Sequence, residues 1–243
     1  MHKVSIRRHI IERVLARRGD VHWFERLDPA KTALLVIDMQ NTFCMPGAPG
    51  EVPLSRDIVP NINRLSARLR AMGVPVIWVV HANNTAGGRT DWEVFFNHVV
   101  RNAEVRRRMA ESLNPARQEV WQELERRPED LVVVKNRYSA LAHGASTLER
   151  VLRNLGVDTV LVAGTKTNVC CDSTARDAMM LDFKSVMLSD CCAALSDDEH
   201  LAALETFIQQ FGDVLTGSEA LELLEKGKGV AAISQQQNED RRT

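Results

Sequence analysis

ALLVID (33–38), LVVVK (131–135) and DTVLVAG (158–164) are apolar runs with the length and composition of buried β-strands. Two of them end in a charged residue, Asp38 and Lys135, and the third leads into TNVCC (167–171), which contains Cys170. Parallel strands of an α/β sheet end at one common edge, and ligands bind at that edge. The sequence therefore predicts that a carboxylate, an ammonium and a thiol meet in space.

Further strand-like runs alternate with helical segments along the whole chain. The additional strand-like runs lie at 74–80, 185–189 and 213–216, and the helical segments at 57–72, within 91–127, and at 145–155, 168–182 and 198–211. Such alternation is typical of βαβ units with right-handed crossovers. It predicts a doubly wound, Rossmann-like α/β fold with a mostly parallel sheet of about six strands and helices on both faces.

Three regions are expected along the chain. Residues 1–27 form an N-terminal helical extension, with Ile6, Ile10, Ile11, Val14 and Leu15 on one helical face. Residues 28–228 form the main α/β domain, and the polar residues 229–243 form a disordered tail.

Composition excludes several classes of partner. With 31 basic and 32 acidic residues among 243, the net charge of −1 does not favour nucleic acid or an anionic membrane as the main partner. The longest apolar runs, such as VPVIWVV (74–80), are far shorter than the ~20 residues of a membrane span. Five cysteines, including the adjacent pairs Cys170–Cys171 and Cys191–Cys192, fit a reducing cytoplasm better than a secreted disulfide framework.

The three strand-end residues match the parts of a nucleophilic active site. Cys170 is expected in the first turn of a helix, where unpaired N–H groups would lower the pKa of its thiol. Asp38 would be the general base, and Lys135 would pair with Asp38, hold the thiolate or polarise the substrate. The alternatives are a small buried cysteine, a turn-capping aspartate and a lysine that emerges at the surface.

Three longer stretches resemble the signatures of the isochorismatase-like cysteine hydrolases: VIDMQNTF (36–43), VVKNRYSAL (133–141) and GTKTNVCCDSTARDAMMLDF (164–183). The resemblance extends from about residue 28 to 225. It implies that Cys170 is the nucleophile, Asp38 the base and Lys135 the third member of a triad. It also implies a cis peptide at Thr165–Lys166, an oxyanion hole formed by the backbone N–H groups of Lys166 and Cys170, and a homo-oligomer, either a dimer or a tetramer.

Within this superfamily the pattern K-x-R-Y-S at 135–139 is most similar to ureidoacrylate amidohydrolases. The expected reaction is hydrolysis of a small amide or ureido substrate through an acyl-enzyme. Residues near the same sheet edge are the candidates for substrate binding: Gln40, Asn41, Phe43, Trp78, Asn83, Asn84, Arg137 and Tyr138. No cofactor and no metal are expected, because His81 has no second histidine nearby. The alternatives are an isochorismatase-type or nicotinamidase-type hydrolase and a non-catalytic thiol redox sensor.

The connection 81–130 is longer than a minimal crossover between parallel strands. Residues 82–98 are expected to form a substrate lid that leaves the reactivity of Cys170 untouched. Residues 102–127 contain two charged segments expected to be helical and to form a self-association surface, which includes Val120, Trp121 and Leu124.

Overall fold

The computed structural model describes residues 1–227. Its strands are β1 (Thr32–Ile37), β2 (Val76–His81), β3 (Thr85–Ala86), β4 (Arg89–Thr90), β5 (Leu131–Lys135), β6 (Thr159–Thr165), β7 (Lys184–Ala193) and β8 (Asp213–Leu215). Its helices are α1 (Arg8–Arg18), α2 (Asn41–Cys44), α3 (Val59–Ala71), α4 (Ala103–Ser112), α5 (Leu148–Asn154), α6 (Asp172–Met180) and α7 (Asp197–Gln210), with further helix over 217–227.

Six strands form one parallel sheet in the order β5-β2-β1-β6-β7-β8, and β3 and β4 form a small antiparallel hairpin. The predicted doubly wound fold is confirmed. The chain winds from β1 outward to β2 and β5, and then returns to place β6 on the other side of β1. The connections that leave β1 and β6 therefore diverge, and this divergence opens a crevice at the carboxyl edge of the sheet.

Helices cover both faces of the sheet because its central strands are apolar on both sides. On one face, the strands pack against residues of α1, α5, α6 and α7, such as Val14, Leu152 and Phe207. On the other face, they pack against α3 and the 217–227 helix, through residues such as Ile62 and Leu224. Phe95, Phe96, Val100, Met109 and Leu113 form a separate small core outside the carboxyl edge.

The proposed N-terminal extension contains one helix. Its helix α1 buries Ile10 and Val14, whereas Leu15 is exposed. The extension is bound to the main domain through an ion pair between Arg7 and the buried Glu205 of α7. The predicted disordered tail at 229–243 lies outside the described residues.

The prediction for residues 102–127 is wrong in two respects. Helix α4 forms, but the second charged segment contains only a short 3₁₀ turn at Pro115–Arg117 and is otherwise irregular. Trp121 and Leu124 are buried against the core on the α3 side of the sheet, so these side chains stabilise the monomer and are not free for self-association. No helix within residues 1–227 is long and apolar enough to cross a membrane.

Gly164 allows the closest approach between β1 and β6. It has φ +115°, and a Cβ atom placed there would lie 2.0 Å from the carbonyl oxygen of Ile37. Ile37 directly precedes Asp38, and Gly164 is six residues before Cys170. The absence of a side chain at Gly164 therefore lets the strand ends that carry the base and the thiol lie side by side.

We expect Gly164→Ala to lower the free energy of unfolding by about 3 kcal/mol or more, because it combines an unfavourable φ with overlap against backbone that cannot move. Urea denaturation measures the change. Gly217→Ala is the matched control, because a Cβ atom there would meet its nearest neighbour at an ordinary 3.5 Å. Equal stability of the two variants would contradict the close approach.

Candidate active site

The structure brings Asp38, Lys135 and Cys170 together at the carboxyl edge of the sheet. Asp38 directly follows β1 with φ 53°, and Lys135 is the last residue of β5. Cys170 lies in a π-helical turn, Thr167–Cys171, that leads from β6 into α6. All three side chains are buried. The Nζ atom of Lys135 lies 2.8 Å from Oδ2 of Asp38, and a carboxylate oxygen of Asp38 lies within 4.8 Å of Sγ of Cys170.

The ammonium of Lys135 is held from several sides. Since β2 lies between β5 and β1 in the sheet, the lysine side chain crosses the end of β2 to reach Asp38. Nζ also donates hydrogen bonds to Nδ1 of His81, at 3.2 Å, and to the carbonyl oxygen of Arg137, at 3.0 Å. Its contact with Asp38 lies outside hydrogen-bond geometry, and within residues 1–227 both carboxylate oxygens lack a hydrogen-bond donor. Asp38 can therefore accept a proton from the thiol or from a ligand.

The environment of Cys170 differs from the sequence-based expectation. Burial raises the pKa of the Cys170 thiol to about 12, and the adjacent carboxylate of Asp38 acts in the same direction, while Lys135 opposes both. The expected lowering by a helix N-terminus does not occur, because the thiol is removed from water and lies in the turn before α6. Burial also raises the pKa of Asp38, and the ammonium of Lys135 offsets part of that rise. The resting thiol keeps its proton.

His81 is a partner of Lys135, a role that the sequence analysis, which weighs His81 only as a metal ligand, does not predict. Its Nε2 lies 2.8 Å from Oδ1 of Asn83, whose amide nitrogen donates to Oδ1 of Asp91 at 2.8 Å. Asn83 therefore presents its oxygen to His81, so Nε2 carries the hydrogen and Nδ1 accepts from Lys135. Burial and the neighbouring Lys135 hold the pKa of His81 well below its usual range. The same strand-end rule that selected Asp38 and Lys135 would have selected His81.

A cavity of about 300 Å³ opens above the thiol. Asp38, His81 and Cys170 line it, together with Thr165 and Lys166, whose peptide bond is cis as the resemblance implies. The remaining walls come from the connection after β1, from the 81–130 connection and from the segments that follow β5, β6 and β7. They are formed by Phe43, Pro49, Gly50, Glu51, Phe95, Val99, Val100, Met109, Leu113, Tyr138, Val169 and Leu195. Among the predicted substrate-binding residues, Phe43 and Tyr138 therefore lie at the cavity.

Three other predicted substrate-binding residues lie away from the cavity lining and have structural partners. The amide of Gln40 exchanges two hydrogen bonds with the backbone of His81 and ties the end of β1 to the end of β2. The side chain of Asn41 donates to Glu119. Trp78 points to the α3 side of the sheet, where its indole N–H donates to Asp130. Their positions near the sheet edge were predicted, but the directions of their side chains were not.

The remaining three predicted residues, two in the 82–98 segment and one directly after β5, do not line the cavity. Asn83 is buried in the hydrogen-bond chain to His81, and Asn84 is exposed. The guanidinium of Arg137 donates to the carbonyl oxygens of Asn136 and Asp91 and lies over the ring of Trp92, so it is not placed to bind a substrate carboxylate. The 82–98 segment also contacts Lys135 through Asp91, Asn83 and His81, contrary to the expectation that it leaves the three strand-end residues untouched.

Asp38, His81 and Cys170 each offer one donor atom within 4.8 Å of the others, and all three are metal-ligating residue types. The chemistry of this set does not fit a cation. The ammonium of Lys135 already lies among these donors, 2.8 Å from the carboxylate and 3.2 Å from Nδ1 of His81. A divalent ion there would face a buried positive charge.

Comparison with known proteins places this geometry in a family. The family model described as the isochorismatase domain matches residues 32–219. The chain belongs to the isochorismatase family. The resemblance seen in the sequence is therefore confirmed, and the family model extends over β1 to β8 of the described fold.

Members of the isochorismatase family similar to this chain include proteins named as amidohydrolases. Ureidoacrylate amidohydrolase RutB of Pseudomonas savastanoi pv. phaseolicola is 33% identical over 177 residues, which cover 68% of this chain and 71% of that protein. A protein of Arabidopsis thaliana named as a probable inactive nicotinamidase is 34% identical and covers 70% of this chain and 85% of its own length. A solved cysteine hydrolase from Pseudomonas syringae pv. phaseolicola has a TM-score of 0.71 at 30% identity, covering 83% of this chain and 96% of that one.

The hydrogen bond from His81 to Asn83 makes a testable prediction. We expect Asn83→Leu to lower kcat by about 10-fold with little change in KM, because the outer partner that fixes the tautomer of His81 is lost. Asn83→Asp places a carboxylate beside Nε2, which raises the pKa of His81 and moves the acidic limb of the kcat profile to higher pH. Two-dimensional ¹⁵N NMR of the imidazole reports the tautomer directly. Asn84→Asp is the control, because the side chain of Asn84 is exposed. A His81 that carries its hydrogen on Nδ1 in the unmodified protein would contradict the assigned tautomer.

Lys135→Met removes the buried cation while keeping the length of the side chain. Because Lys135 lowers the pKa of Asp38 against the effect of burial, its loss should raise that pKa further. A base is active only when deprotonated, so the acidic limb of kcat/KM against pH should move to higher pH, with a lower plateau. Lys184→Met is the control for the loss of a positive charge, because Lys184 begins β7 at the amino ends of the strands, and it should leave the acidic limb in place. An unmoved acidic limb would show that Lys135 does not act on Asp38.

Proposed function

We propose that this protein is a cysteine-dependent amidohydrolase that cleaves a C–N bond of a small amide or ureido substrate through a covalent acyl-enzyme. The observation that carries the proposal is the convergence of a buried ammonium with a carboxylate and a thiol that both line one cavity. Family membership and the named activities of amidohydrolase relatives support the same reaction class.

The first half of the reaction forms the acyl-enzyme. Asp38 takes the thiol proton as the sulfur of Cys170 attacks the substrate carbonyl carbon, so the high pKa of the thiol is overcome only when the carbonyl is in place. Lys135 balances the negative charge that moves between Asp38 and Cys170. The backbone N–H groups of Lys166 and Cys170 are the proposed donors to the oxyanion. Asp38 then returns the proton to the leaving nitrogen, and the C–N bond breaks.

The second half is hydrolysis. Water attacks the thioester carbonyl while Asp38 accepts its proton, and the same two N–H groups are the proposed donors to the oxyanion. Collapse of the intermediate releases the acid and returns the proton from Asp38 to the sulfur. One water molecule is consumed in each turnover and the triad is restored. Every step uses residues of the chain itself, in keeping with the expectation that no cofactor is required.

Ureidoacrylate-type substrates are the first class to test, because an amidohydrolase of that name covers two thirds of this chain at 33% identity. The pattern from Lys135 to Ser139 supports the same branch. Isochorismatase-type and nicotinamidase-type substrates are the alternatives within this fold. A homo-oligomer in the cytoplasm remains the expected state, and size-exclusion chromatography with light scattering tests the assembly.

The alternative outside the enzymes is a non-catalytic thiol redox sensor. All five cysteines are free. The two adjacent pairs do not act as units: Cys170 faces the cavity, whereas Cys171 lies in the core, where burial and then a hydrogen bond with Cys192 raise the pKa of its thiol well above the usual range. Cys171 and Cys192 are both buried, away from oxidants in solution, which favours the enzyme.

We expect Cys170→Ser to abolish turnover without loss of the fold, because a hydroxyl is a much weaker nucleophile. Asp38→Asn should lower kcat by roughly 10²–10⁴-fold, the range of a lost general base. Ammonia release from a panel of ureido acids and simple amides measures both, and circular dichroism checks the fold. Cys171→Val is the matched control and should keep full activity. If Cys170→Ser were fully active and Cys171→Val inactive, the nucleophile would be Cys171 and the proposed assignment to Cys170 would be wrong.

A further inference from the structure

The N-terminal extension contacts the main domain through one buried histidine. His2 lies outside residues 32–219, which the family model matches, yet only 2% of its side chain is exposed. The extension is also anchored by the ion pair between Arg7 and Glu205 and by the buried residues of α1. These contacts hold the extension in place independently of His2.

The imidazole of His2 holds the peptide unit between Ala193 and Ala194, at the carboxyl end of β7. The N–H of Ala194 donates to Nε2 of His2 at 2.9 Å, so Nε2 carries no hydrogen and Nδ1 donates to Oδ1 of Asp197 at 2.7 Å. The carbonyl oxygen of the same peptide unit accepts from the hydroxyl of Thr165 at 3.2 Å. A single planar peptide unit therefore joins His2 to Thr165.

The same imidazole stacks on a second buried histidine, His200 of α7. The two rings are nearly parallel, with 4.1 Å between their centroids and 12° between their planes. Burial lowers the pKa of His200 to about 4, and the neighbouring His2 acts in the same direction, so His200 is neutral at physiological pH. Nδ1 of His200 shares a hydrogen bond of 2.8 Å with the hydroxyl of Thr167. A second path therefore leads from His2 through His200 to Thr167.

The two paths end on either side of Lys166. Thr165 is the last residue of β6, Thr167 is the first residue of the π-helical turn that carries Cys170, and both threonines are fully buried. The carbonyl oxygen of Lys166 accepts from the N–H of Cys171 at 3.1 Å, across that turn. The backbone of Lys166 therefore spans the turn that holds the thiol, and its N–H is one of the two proposed oxyanion donors.

We propose that His2 is a positioning residue that holds the Cys170 turn and the backbone of Lys166 in register, through Ala194 on one path and His200 on the other. This inference rests on the proposed amidohydrolase function. His2 does not line the cavity, so it acts only through these partners. The imidazole, Ala194, His200 and Thr167 are all buried, so a hydrogen bond lost among them leaves a polar group without a replacement from solvent.

The first test compares two variants of His2 on a compound of the ureido and amide panel that the unmodified protein hydrolyses. His2→Leu removes the imidazole, whereas His2→Phe keeps an aromatic ring over His200 and loses only the hydrogen bonds. We expect His2→Leu to lower kcat by about 10-fold with KM within about 2-fold, because small displacements of reacting groups are costly, and His2→Phe to lie between. His9→Leu is the matched control, because His9 lies in the same extension and is exposed. An unchanged kcat in His2→Leu would overturn the inference.

A double-mutant cycle tests the path through His200. Thr167→Val removes the hydroxyl, keeps the shape of the side chain and should lower kcat by about 10-fold. Because both changes act on one chain of contacts, His2→Leu combined with Thr167→Val should cost clearly less than the ~100-fold product of the separate effects. In the control cycle, His9→Leu should leave the effect of Thr167→Val unchanged. A full product in the first cycle would overturn the coupling between His2 and the turn.

Hydrogen exchange followed by mass spectrometry tests the same coupling without a substrate. In His2→Leu the backbone amides of 166–171 should exchange at least about 5-fold faster, whereas those of α3, on the other face of the sheet, should keep their rates. Unchanged exchange in 166–171, or an equal rise in α3, would overturn the positioning role. Faster exchange confined to 166–171, with no turnover of any panel compound by the unmodified protein, would refute the amidohydrolase function and leave the hold of His2 on the turn standing.

Discussion

The buried ion pair between Lys135 and Asp38 is the interaction on which the site depends. Neither side chain reaches solvent, and each charge would be costly to bury alone. The pair joins residues from strands that are not neighbours, so it forms only when β5, β2 and β1 lie in the observed order. His81, at the end of the intervening strand β2, accepts a hydrogen bond from the same ammonium. The ion pair therefore links the sheet order to the electrostatics around the thiol.

Much of this arrangement could be predicted from the sequence, for a simple geometric reason. Parallel strands share a carboxyl edge, so residues that end apolar runs must converge whatever their separation along the chain. The strand positions could be predicted because buried strands are short apolar runs, and the doubly wound topology because strands and helices alternate along the chain. The predicted positions of Asp38, Lys135 and Cys170 required only strand periodicity and direction, both of which are local properties.

The features that could not be predicted depend on tertiary contacts. Whether Phe43 faces the cavity is decided by the path of the segment after β1, and Arg137 looks like a substrate ligand until its partners Asp91 and Trp92 are known. The segment around Trp121 has helical spacing, yet it is irregular and buries Trp121 and Leu124 against the α3 side of the sheet. The pKa of the Cys170 thiol depends on how deeply the residue is buried. That depth cannot be read from its position next to a helix in the sequence.

The protonated state of Cys170 has a consequence for the lifetime of the protein. Peroxides and alkylating metabolites react with thiolates far faster than with thiols. In the proposed mechanism Cys170 loses its proton only in contact with the substrate carbonyl, so the thiol spends the rest of its time in the unreactive form. The burial that raises the pKa of the thiol therefore also shields the sulfur from irreversible oxidation, so the proposed nucleophile stays intact through periods when its substrate is scarce.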